Sequence, residues 1–162
     1  MERAERQVFR ISASSGHALA GAILENYGVS PENSNLVADS LTRADLRGVD
    51  THGINRLAGY IARVEAGLIN PNPSLEFEQR TPVIASLDAK NTFGFVAGCL
   101  SVDHCIEMAK VYGMGMVAVK RSNHFGMGAT YVLRAVEQGF ACFRLSMLAV
   151  QCLPGEALKL FW

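Results

Sequence analysis

The chain has 162 residues, of which 49% are hydrophobic and 19% charged. That is enough apolar mass for one domain or one and part of a second, and too little charge for a disordered polymer. Fifteen basic side chains balance fifteen acidic ones, so there is no positive surplus to neutralise a phosphate backbone, and nucleic acid is not an expected partner.

In chain order, residues 12–28 read as a helix: Ser12 or Ser14 caps it, Leu19, Ile23 and Leu24 recur at helical spacing, and Gly28 stops it. A second helix opens on Ser30-Pro31-Glu32, a cap, a proline at the first position and an acid in the first turn, and runs to about Leu46. A third is expected from Asp50-Thr51, with Leu57, Tyr60, Ile61 and Val64 on one stripe and Gly67 at its end. Residues 70–82 form a Pro-rich connection with a short extended piece. Val83–Leu87 is a strand, and Asp88–Asn91 a turn. A helix follows from about Val96 to Val111, stopped by Gly113, then a strand at Met116–Val119. The polar loop Lys120–Gly128 leads to a helix at Thr130–Gln138 and a last strand at Phe140–Leu148. The fold class is therefore α/β, a helical N-terminal cap followed by alternating helix/strand units of a mixed sheet. The divisions are 1–80, helical; 81–150, the start of an α/β part; and 151–162, a tail.

No apolar run approaches the roughly 20 residues that cross a bilayer, and the N-terminal MERAERQVFRIS has no apolar signal region. A cytoplasmic protein without membrane contact is the expectation. Cys99, Cys105, Cys142 and Cys152 form no C-x-x-C pair, and they read as small buried hydrophobes. His17 and His104 fall within helices. His104 beside Cys105 lacks partners for a metal site, and no metal is expected.

Two segments carry candidate chemistry. In Arg47-Gly-Val-Asp-Thr-His52-Gly-Ile-Asn-Arg56, residues four apart on a helix put His52 and Arg56 on one face. A guanidinium fork grips a carboxylate bidentately, and a helix N-terminus favours an anion. A capping histidine beside a surface arginine is the plain alternative. In Lys120-Arg-Ser-Asn-His124-Phe-Gly126, a histidine follows a strand and precedes a helix, where open sheets bind ligands. Its ring suits proton transfer near neutral pH, and a histidine bonded to a nearby carbonyl is the alternative. There is no G-x-G-x-x-G, P-loop, H-E-x-x-H or G-x-S-x-G, so a Rossmann dinucleotide fold is not supported. A hydrolase using the histidine pair lacks a nucleophile.

The stretch DLRGVDTHGINRLAGYIARVEAGLINP closely resembles the D-L-R-G-x-x-S-H-G-x-x-R-L motif of the malate/lactate/ureidoglycolate dehydrogenases, and MVAVKRSNHFG resembles that family's second signature. The similarity covers approximately residues 8–145. The resemblance implies a malate/L-lactate dehydrogenase-like, non-Rossmann fold and an oxidoreductase moving hydride between NAD or NADP and a small 2-hydroxy or 2-oxo acid. It implies His124 as catalytic acid/base, Arg56 as carboxylate clamp, and His52 lining the substrate and nicotinamide site. Thr51, where the family usually has serine, joins the substrate site, and Phe125 and Gly126 join His52 and His124 beside the cofactor. A homodimer is implied too. Family members continue into a long cofactor-binding region, whereas residues 151–162 diverge, so the chain alone is expected to be inactive. The alternative is a non-catalytic fragment acting as an interaction or dimerisation module.

Overall fold

A computed structural model of the chain describes residues 10–146. The first helix, α1 (Ala13–Asn26), is capped by the Ser12 hydroxyl, which accepts from the Ser15 backbone N–H at 3.0 Å. The second, α2 (Pro31–Leu46), is capped in the same way by Ser30. These are the caps the sequence predicts, and each is worth about 1 kcal/mol.

The next segment departs from expectation. No α-helix starts at Asp50. Two single 3-10 turns, Asp50–His52 and Ile54–Arg56, precede α3 (Leu57–Glu65), and Gly53 between them is extended. The cause is tertiary. The Asp45 carboxylate, at the end of α2, accepts from the Ile54 backbone N–H at 2.9 Å. A Cβ at position 53 would overlap that carboxylate, so only glycine lets the chain pass. His52 and Arg56 are therefore not neighbours on one helix face.

The sheet has three strands, β1 (Phe77–Thr81), β2 (Ile84–Asp88) and β3 (Met116–Lys120). The pair β1–β2 is antiparallel and β2–β3 parallel, so the sheet is mixed, in the order β1-β2-β3. The long helix α4 (Gly94–Tyr112) makes the crossover and ends at Gly113, whose φ of 82° suits glycine. A short α5 (Ala129–Val136) follows the loop after β3. The strand expected at Phe140–Leu148 is absent over 140–146, and residues 147 and 148 lie outside the described part, as do Cys152 and the 151–162 tail. With no strand beside it, this stretch leaves Phe143 and Leu145 exposed, while Arg144 lies 3.7 Å above the Phe125 ring.

The main core joins the helical part to the α/β part. Leu24, Val37, Leu41, Leu57 and Tyr60 pack with Phe93, Phe95 and Val96 of the α4 entry. A smaller cluster of Leu87, Ala89 and Ala97 seals the sheet. Cys99 is buried, and its thiol is pushed up to about 11 mainly by burial, which makes it inert. His104 stacks on Phe77 with ring centroids 4.1 Å apart. Among the described residues there is no metal-ligating cluster, and no helix is long and apolar enough to cross a membrane.

Candidate active site

The parallel strands β2 and β3 end side by side, and the loop after β3 is held rigidly there. Arg121, at a φ of 52°, forks onto the Asp88 carboxylate at 2.7 and 2.6 Å. That guanidinium, with the Lys90 backbone N–H, draws Asp88 down to about 2. Further along, the His124 carbonyl accepts from the Gly94 backbone N–H at 3.2 Å, so the loop caps α4, whose own preceding residue, Phe93, offers no capping side chain. The approach is close. A methyl group on Gly94 would overlap the Asn123 carbonyl oxygen, the His124 carbonyl carbon and Phe125 Cβ.

This anchoring carries the His124 ring to α3. Its Nδ1 lies 2.8 Å from the Tyr60 hydroxyl oxygen, and its centroid is 5.4 Å from that of His52. Tyr60 is buried, with its ring edge-on to Phe93 and Phe95. Burial, offset in part by the Arg56 charge, raises its hydroxyl above the ordinary phenol value. His124 is pushed below the usual imidazole value of 6.5, first by partial burial and then by His52, Arg56 and Arg63. Arg56, Gly59, Tyr60, Arg63 and His124 line a cleft of about 300 Å³, at the small end of ligand pockets.

Thr51 and His52 lie outside the residues that line the cleft, and Thr51 joins His52 to Arg56. The Thr51 carbonyl oxygen accepts from Arg56 Nε at 2.6 Å, and its hydroxyl lies 3.0 Å from His52 Nδ1. The Arg56 terminal nitrogens and His52 Nε2 are left over, and Arg56 has no carboxylate partner among the described residues. The structure thus brings His52, Arg56 and His124 together, with Thr51 behind them. Phe125 and Gly126 are not in the cleft lining. Phe125 lies under Arg144 beside Tyr131, and Gly126 is buried against the Phe95 ring. Sequence reasoning placed Tyr60 on the apolar stripe and passed over Arg63. Tyr60 lies four residues from Arg56 and three from Arg63, which is the spacing of one helix face, and that signal could have found them.

An unpaired guanidinium beside an imidazole fixed by a phenol can hold a small carboxylate and exchange a proton with it. This arrangement sits on a mixed three-stranded sheet under a helical cap, with no G-x-G-x-x-G turn in the sequence. Residues 11–153 match the malate/L-lactate dehydrogenase family, and the chain belongs to it. It is 39% identical over 117 residues to a malate dehydrogenase of Pyrococcus abyssi, covering 72% of this chain and 32% of that protein. Against a ureidoglycolate dehydrogenase (NAD(+)) of Escherichia coli the figures are 33% over 131 residues, 81% and 38%. The crystal structure of malate dehydrogenase from Entamoeba histolytica superposes with a TM-score of 0.79 at 40% identity, covering 82% of this chain and 37% of that one. The chain spans about a third of the length of these relatives.

Proposed function

We propose that this chain carries the acid-binding and proton-transfer residues of a nicotinamide-dependent dehydrogenase acting on a small 2-hydroxy or 2-oxo acid. The observation that carries the reading is the convergence of Arg56, Tyr60 and His124 on one cleft. NAD or NADP is the hydride carrier, and the names of the malate and ureidoglycolate dehydrogenase relatives support a hydroxy acid as partner. A homodimer in the cytoplasm is the matching assembly and location.

The acid's carboxylate pairs with the terminal N–H groups of Arg56, whose Nε is already committed to Thr51. This holds the 2-carbon oxygen near His124. In oxidation of a hydroxy acid, neutral His124 donates its Nδ1–H to the Tyr60 oxygen and accepts the substrate proton at Nε2. In the reverse direction, Nε2–H returns that proton while Nδ1–H stays on Tyr60. In both directions the phenol oxygen accepts from Nδ1–H, and its raised pKa keeps it protonated. The lowered pKa of His124 leaves it mostly neutral at pH 7, ready to accept. His52 Nε2 supplies a second polar contact to the same oxygen. A bound nicotinamide would supply hydride acceptance or donation, with His52 and His124 the residues that would line its ring.

The test is a titration of the purified chain with L-malate and L-lactate, followed through the ring resonances of His52 and His124. Saturable shifts at both rings, lost in Arg56→Ala, are expected. Silence at both rings, with self-association of the chain instead, would favour an interaction module.

A further inference from the structure

Next to His124, Asn123 uses its whole side-chain amide without entering the cleft chemistry. Its Oδ1 accepts from Arg63 Nη2 at 2.9 Å. Its Nδ2 donates to the carbonyls of Asn91 at 2.7 Å and Leu68 at 3.2 Å. The backbone N–H of Asn123 donates to Thr92 O at 3.2 Å. Three pieces of chain meet on one residue: α3, the turn that follows α3, and the turn that precedes α4.

We propose that Asn123 is a positioning residue for His124, acting with Arg63 as a latch that holds the imidazole against Tyr60. This rests on the reading of His124 as the proton carrier. Tyr60 and Arg63 are three apart and so adjacent on the α3 surface, while Asn123 and His124 are adjacent on the loop. Tyr60–His124 and Arg63–Asn123 are thus two rungs between the same two elements. One rung alone lets the ring swing about its Tyr60 bond, and two fix its plane. Arg63 has no carboxylate partner among the described residues, so its fork is free to hold a neutral amide. When Asn123 is removed, the Asn91 carbonyl still accepts from the Asn70 backbone N–H at 3.0 Å, and Leu68 is exposed, so water can serve its carbonyl.

The full chain tests this by NMR without substrate. The groups facing His124 are Tyr60, Arg56 and Arg63 on the α3 side and His52 on the turn before it. In Asn123→Ala, loss of the Tyr60–His124 ring-to-ring contact signal is expected. The His124 titration should rise toward 6.5 as the ring leaves its cover. The melting temperature should stay near that of the parent. Arg63→Lys keeps a cation and one donor for Oδ1, so it should preserve the ring contact. If Asn123→Ala does not fold, Arg63→Met, which touches neither carbonyl, reads the ring contact alone, because losing the Arg63 charge raises the His124 titration by itself. An unchanged ring contact in the folded variant overturns the proposal and leaves Asn123 as loop packing. Failure of the dehydrogenase reading shows elsewhere, as absence of acid binding to the parent chain.

Discussion

Replacing Arg56 by alanine removes the one cleft guanidinium already oriented by the backbone. Its Nε is held by the Thr51 carbonyl at 2.6 Å, so the terminal fork reaches an incoming carboxylate with little loss of side-chain freedom. Arg56 is exposed, which keeps the interaction below that of a buried pair. Hydrogen bonds to a charged partner are worth roughly 1.5–3 kcal/mol, which corresponds to a weakening of about ten- to hundredfold. Arg56→Lys should recover only part, because an ammonium lacks both the fork and the Nε bond to Thr51. Calorimetric titration of the three proteins with L-malate measures this directly. The melting temperature should barely move, since Arg56 packs against no core residue named above. Equal dissociation constants in parent and alanine variant would refute the clamp.

Tyr60→Phe keeps the edge-on packing with Phe93 and Phe95 and deletes only the hydroxyl, so it should destabilise by about 1 kcal/mol. The His124 tautomer should then become mixed, as read by imidazole nitrogen shifts. Gly94→Ala drives a methyl group into the His124 loop and should destabilise by about 1–3 kcal/mol in thermal melts. A neutral result would mean the loop approaches α4 less closely than described. For His124 the folded pKa lies below the unfolded 6.5, so the unfolded chain binds the extra proton first. Stability should therefore fall as pH drops from about 6.5, and His124→Gln should flatten that part of the melting profile. Asp88 acts at the other end of the scale: its folded pKa of about 2 lies below the ordinary 3.8. The contribution of its Arg121 pair is complete above the unfolded value and is lost as pH falls toward 2. Asp88→Asn should show no such acid-side loss in circular dichroism.

Helix caps were legible because they are local. Ser12, Ser30-Pro31 and Gly113 act within a few residues of where they stand. The crossover of α4 between β2 and β3 followed from the same order of signals. The two 3-10 turns were hidden because their cause, Asp45 bonding to Ile54, is a contact between elements. Convergence of His52 and Arg56 was expected from a shared helix face, and it arises instead from Thr51, which holds one by its hydroxyl and the other by its carbonyl. Tyr60 read as a core residue because its ring is one, while its hydroxyl meets a histidine 64 residues later. The strand expected at Phe140–Leu148 has no ladder over 140–146, where Arg144 instead stacks on Phe125.

The cap on α4 ties two processes that are usually separate. Because the His124 carbonyl accepts from the Gly94 N–H at the start of that helix, fraying there frees the backbone that carries the imidazole to Tyr60. Amide exchange at the start of α4 would then track how often the proton carrier is in place. Any ligand that grips His124 would slow exchange in a helix it never touches.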